Sequence, residues 1–245
     1  MRAAFCAELK KAHRRHDILV ILLLEAIVAL CIATSTQEPE TGYSFLFYTV
    51  PIYNAIISSA GMAVLATRIW DVETKGNSCR LLFTLQSRSS LYAAKALLGT
   101  CEIAAFCLLE CALVVACSVI YAFTEPLSLS QLLWLLVCTF VVSLMLFLFS
   151  LALCLRCATP VPAVAAGLAG SLVGLFSGFM PRVFSYFIPW GYFIPLSAME
   201  MGWDSVTRDT WFTPLSFCIP LLLVSIGFAL LLLAVGYSLI RNKEV

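Results

Sequence analysis

Six long apolar runs decide what this chain can fold into. They are Ile18–Thr34, Tyr43–Ala66, Ala93–Phe123, Leu132–Leu155, Val161–Met180 and Pro214–Ile240. A helix needs about 20 mostly apolar residues to cross the hydrocarbon core of a bilayer, and each run meets or approaches that length. Of the 245 residues, 62% are hydrophobic and 12% charged, against roughly 45–50% and 25% in a soluble domain. Lipid is the natural solvent for that excess. Backbone polar groups find no water there, so the runs are predicted to be helical. The alternating pattern of a membrane barrel is absent. The expected fold is an all-α membrane protein of six transmembrane helices, one membrane domain over residues 1–245 with no visible internal repeat or linker.

The basic residues set the expected orientation. With the N-terminus in the cytosol, thirteen Lys and Arg fall inside and only Arg182 and Arg208 outside, as the positive-inside rule requires. Both termini are then cytosolic. The outer loops carry Glu38, Glu40, Glu125, Glu200, Asp204 and Asp209. A net charge of +1, without a basic stretch interleaved with aromatics, gives no argument for nucleic acid. The opening MRAAFCAELKKAHRRHD reads as a basic amphipathic segment, not a cleavable signal peptide.

Three segments stand apart from the spans. Residues 1–16 are expected to form an interfacial helix. Ala3, Ala4, Phe5, Ala7 and Leu9 would supply its apolar contacts, with Lys10, Lys11, Arg14 and Arg15 toward anionic headgroups. Residues 68–95 form a long, charged inner loop in which Trp70, Asp71, Glu73, Arg80 and Arg88 surround the apolar Leu81-Leu82-Phe83. A short amphipathic helix that docks into a groove on a partner would look like this; a solvated connector is the alternative. Residues 181–212 are rich in aromatics and prolines. Pro181, Pro189 and Pro195 break any long helix there, and Trp190, Tyr192, Trp203 and Trp211 suit an interfacial aromatic belt. The segment is expected to be partly re-entrant.

Catalytic motifs are missing. The sequence contains no GxxxxGK[ST] phosphate loop, no HExxH and no GxSxG elbow. The chain is therefore expected not to be an enzyme, and any ATP-driven work falls to a second subunit. The eleven cysteines show no metal-ligand spacing and read as small apolar packing residues. Glu25, Glu102 and Glu110 lie at apparent membrane depth, where a charge costs about 2.5–3.5 kcal/mol on the lenient insertion scale. They either line a path for protons or a cationic substrate, or make hydrogen bonds between helices. Glu102 falls near the inner surface if its over-long run is shifted. Gly167, Gly170, Gly174 and Gly178 follow the small-xxx-small spacing of close helix packing, within the chain or between subunits.

Two local patterns carry a family resemblance. One is Asp71-Val72-Glu73 with Gly76, followed by Arg88 and Lys95. The other is Tyr186-Phe187-Ile188-Pro189-Trp190 with Tyr192, Ile194 and Pro195. With the overall layout, they resemble permease subunits of ABC transporters, specifically the six-span exporter type of the lantibiotic-immunity group. The resemblance implies a division of labour. Two permeases, identical or related, would form the pathway. Two copies of an ATP-binding cassette subunit would hold ATP and Mg, with no cofactor in this chain. Residues 68–95 would be the coupling helix, through Trp70, Asp71, Glu73, Arg80, Leu81, Leu82 and Arg88. Glu25, Glu102, Glu110, Trp190 and Tyr192 would line the substrate pathway. The cargo would be a cationic antimicrobial peptide, met at the membrane lipid and expelled from a bacterial cell membrane. Acidic outer loops fit a cationic ligand. Lipid, polysaccharide or drug are alternative cargoes, and an ATP-independent carrier or channel built on the three glutamates is the alternative class.

Overall fold

The computed structural model describes residues 2–35, 39–74, 87–157, 159–180, 184, 186–204 and 209–242. Seven helices account for most of them: α1 (Arg2–Arg15), α2 (Asp17–Ala33), α3 (Gly42–Thr74), α4 (Arg88–Ile120), α5 (Leu129–Arg156), α6 (Val161–Ser177) and α7 (Ile219–Arg241). Among them α3, α4, α5 and α7 are each long and apolar enough to cross a membrane. The α1–α2 pair passes the same test only together, bent by 58°. Helix α6, with 17 residues, is a shorter apolar helix. The protein is thus mostly helical, with four or five candidate spans.

The all-α expectation needs one correction. Strands β1 (Met199–Trp203) and β2 (Thr210–Pro214) form an antiparallel hairpin, in register from Met199↔Pro214 to Trp203↔Thr210. It lies in the segment read as proline-broken and re-entrant. Thr210, Trp211, Phe212 and Thr213 are β-favouring residues, and that local preference acts once the prolines have excluded a helix. Phe212 packs on α3, with ring centroids 6.2 Å from Phe45 and 6.1 Å from Tyr48.

The inner loop is also shorter than expected. Helices α3 and α4 have 33 residues each, about 50 Å at 1.5 Å per residue, while the hydrocarbon core is about 30 Å thick. Residues 68–74 continue α3 and residues 88–95 belong to α4, so only the middle of the predicted loop joins them. Arg, Glu and Lys are good helix formers, and a charge marks the edge of the lipid without ending the helix.

Proline 51 lies inside α3. Lacking an N–H, it leaves the Phe47 carbonyl without its usual helical donor. The Ser197 hydroxyl lies 2.9 Å from that carbonyl oxygen, and thus ties the outer segment to the helix that the proline interrupts. The Trp134 indole adds a second tie, donating to the Leu196 carbonyl at 2.8 Å.

The four glycines of the fifth apolar run pack within the chain. A Cβ on Gly167 would lie 2.4 Å from Ala63 Cβ on α3, and one on Gly170 would lie 2.2 Å from the Trp190 indole nitrogen. Gly174 faces the Trp190 backbone and Gly178 the Ile194 side chain. Cys107, Cys111, Cys117, Cys138 and Cys154 are buried as free thiols, where they serve as small packing residues.

Candidate coupling site and polar core

Lys95 sits in an apolar run, yet its side chain is fully buried. Its ammonium donates to Glu8 Oε2 at 3.1 Å and to the Ile69 carbonyl at 2.9 Å, and lies 5.9 Å from the centre of the Trp70 ring. Glu8 is buried too, and its other oxygen accepts from Lys11 at 2.7 Å. One ammonium thus joins α1, the end of α3 and the start of α4. Charges removed from water must be paired, and loss of one partner is costly. These helix ends flank the segment read as the coupling helix.

A second knot lies beside it, built on the neighbouring α3 residue, Arg68. Asp17, in the first turn of α2, accepts from Arg15 Nε at 2.8 Å and from Arg68 Nε at 3.0 Å. Arg68 also donates to the Arg15 carbonyl. An acid there complements the positive end of α2. His16 makes the elbow between α1 and α2, with a left-handed φ of 55°. Glu102 faces this group and interacts electrostatically with Asp17, Arg15 and Arg68. The Ala4–Glu8 face of α1 is buried and packs on α4, and Arg15 pairs with Asp17.

The proposed coupling residues occupy several environments. Trp70 is buried beneath the Lys95 ammonium. Asp71 is half-buried in the last turn of α3. Arg88 donates to the Arg241 carbonyl at 3.0 Å, a cation on the exposed carbonyl end of α7. Glu73 belongs to the same last turn of α3, but its side chain, like Arg80, Leu81 and Leu82, lies outside the described residues. Sequence reasoning missed Glu8 and Asp17. The available signal was a lone acid three residues before a lysine in an otherwise basic helix.

Glu110 anchors a polar core in the middle of the bundle. It is fully buried, and Oε1 accepts from Asn54 Nδ2 at 2.5 Å. Asn54 Nδ2 also reaches Thr139 Oγ1 at 3.4 Å, and Asn54 Oδ1 accepts from Ser58 at 2.9 Å. Helices α3, α4 and α5 each contribute a polar group. Glu25 on α2 is buried within electrostatic reach of Glu110, and its oxygens find no hydrogen-bond donor among the described residues. Of the three glutamates, Glu25 and Glu110 are thus brought together, while Glu102 joins the charged knot. Asn54 and Thr139 escaped the sequence reading, although a buried amide inside an apolar run is the usual sign of such a bond.

Trp190 and Tyr192 stand elsewhere. Trp190, in the 3-10 turn Pro189–Gly191, wedges between α6 and Phe149, whose ring it meets edge-on at 5.4 Å. Tyr192 is buried, and burial pushes its phenol above the usual value of 10.0. Glu125, counted among the outer acids, accepts from the Ser44 backbone N–H at 2.9 Å and from its hydroxyl at 2.5 Å. It thereby caps α3.

Comparison with known proteins adds the family. The family described as ABC-2 family transporter protein matches residues 4–178, which run from the elbow helix through α6 and contain both the charged knots and the polar core. No curated protein matches the chain. A match over more than half of the sequence, on a bundle with several apolar helices, places this multi-pass membrane protein in the ABC-2 transporter family, as a permease subunit that pairs with an ATP-binding subunit.

Proposed function

We propose that this permease expels a cationic, amphipathic antimicrobial peptide, in the manner of lantibiotic self-protection. Six helices, α2 to α7, span the bacterial cell membrane, with both termini in the cytosol. Two such permeases, identical or related, stand over two ATP-binding subunits that hold ATP and Mg. The chain itself carries no catalytic residue and needs no cofactor. Residues between α3 and α4, including Arg80, Leu81 and Leu82, dock on the ATP-binding subunit.

The observation that carries the coupling reading is the Lys95 junction. Movement at the α3 or α4 end is passed by buried bonds to α1, and through the Asp17 knot to α2. Peptide cargo is supported by the family resemblance and by the acidic outer residues Glu200, Asp204 and Asp209.

The test is co-purification with the ATP-binding subunit. Leu81→Asp with Leu82→Asp is expected to abolish association while the permease alone keeps its melting temperature. Undiminished association and transport would remove the docking role. Cells expressing the complex are expected to survive cationic peptides better than control cells, with no gain against neutral drugs. The Glu25–Glu110 pair favours one rival, a proton-driven carrier; uptake by the chain alone in liposomes, lost with Glu110→Gln, would establish it.

A further inference from the structure

The inside of the α1–α2 elbow is not filled by protein. A cavity of about 740 Å³ opens there between α1, α2 and α4, within the roughly 300–1,000 Å³ typical of ligand sites. Its walls divide by chemistry. Leu9, Ile18 and Ala105 form an exposed apolar floor, while Lys10 and Arg14 stand on the α1 side, both exposed. The floor continues into the apolar outer surface of α2, where Ile18 and Leu22 are 66% and 47% exposed. Asp17 also lines the cavity, but Arg15 and Arg68 already neutralise it. Glu102 lines it too, within electrostatic reach of Asp17, Arg15 and Arg68.

We propose that this elbow holds one anionic glycerophospholipid, with its phosphate on Lys10 and Arg14 and an acyl chain along Leu9, Ile18 and Ala105. A cavity open to the bilayer beside a span does not stay empty, because the neighbouring solvent is acyl chain. A free phosphate or nucleotide would leave the floor without an apolar partner. A zwitterionic lipid brings no net negative charge to offset Lys10 and Arg14. Phosphatidylglycerol satisfies both walls, with a net negative headgroup for Lys10 and Arg14 and acyl chains for the floor. The inference does not depend on the cargo. It concerns a retained lipid at a defined place, as distinct from general attraction to the headgroup layer.

Full-length protein in detergent, mixed with phosphatidylglycerol or phosphatidylcholine, provides the test, with retained lipid counted by native mass spectrometry. One phosphatidylglycerol is expected to stay bound in preference to phosphatidylcholine. Lys10→Gln with Arg14→Gln is expected to weaken its retention about 25-fold, at about fivefold for each basic residue near the headgroups. Ala105→Trp, which occupies the floor, is expected to displace the lipid. Equal retention of the two lipids overturns the proposal, as does phosphatidylglycerol binding that survives the double substitution. If Ala105→Trp fails to fold, the two exposed basic positions still decide the matter.

Discussion

Lys95 and Glu8 lie 87 positions apart in sequence, yet their charged groups meet at 3.1 Å with both side chains out of solvent. This pair closes the base of the bundle. It fixes α1 against α4, and the same ammonium holds the Ile69 carbonyl near the end of α3. Helix α1 is thereby made part of the packing that surrounds the proposed coupling segment.

Lys95→Met is expected to destabilise the protein strongly, because it leaves the buried Glu8 with only the partly exposed Lys11 as partner; breaking a buried pair costs about 3–5 kcal/mol. Glu8→Leu combined with Lys95→Met is expected to recover most of that loss. Thermal unfolding in detergent reads both effects. If the junction carries motion, the recovered double variant hydrolyses ATP with its partner but transports poorly. Full transport by the double variant would reduce the junction to a structural tie.

Ser197 supports the carbonyl that Pro51 leaves bare. Ser197→Ala is expected to lower stability by about 1 kcal/mol, the scale of hydrogen bonds between membrane segments. Pairing it with Pro51→Ala restores an N–H to α3, so the second substitution is expected to offset the first. A melting-temperature series over wild type, both single variants and the pair checks this, and additive losses would refute it.

The polar core separates a structural glutamate from a working one. Glu110→Gln keeps an oxygen to accept from Asn54, so folding is expected to survive. Asn54→Leu removes that donor and leaves Glu110 under-satisfied, at a cost of about 1–3 kcal/mol. ATP-dependent protection of cells by the complex is expected to persist in Glu110→Gln. Its loss in a well-folded variant would show that Glu110 takes part in transport.

The spans were legible because lipid imposes a uniform demand. Any stretch that crosses must be apolar and helical, so the helices α2 to α7 fall close to the six runs of the sequence, with α3, α4, α5 and α7 long enough to cross by themselves. Charged segments gave less. Trp70 and Lys95 were read as loop residues because charge marks the membrane edge, but charge does not say where a helix stops. The partners of Lys95 and Asp17 come from remote positions, Glu8 and Arg68, and no local pattern links them. The hairpin was missed because proline and aromatic residues announced only the absence of a helix. In the same way, glycine spacing in α6 showed that something approaches closely, but left open whether that was another subunit or, as found, Trp190.

The α6–Trp190 contact yields a graded test of that last point. A methyl group on Gly170 would fall 2.2 Å from the Trp190 indole nitrogen, the edge of a side chain that can swing away. One on Gly174 would fall 2.8 Å from the Trp190 carbonyl oxygen, which is backbone and is held by the 3-10 turn. Both substitutions overpack the site, at about 1–3 kcal/mol in a well-packed interior. Gly174→Ala is therefore expected to cost more than Gly170→Ala, because the outer segment must move as a unit. Melting temperatures order the two. Trp190→Ala is expected to relieve Gly170→Ala but to leave Gly174→Ala impaired, since alanine keeps the offending carbonyl. An equal rescue of both would show that the indole, and not the backbone behind it, sets the distance between α6 and the outer segment.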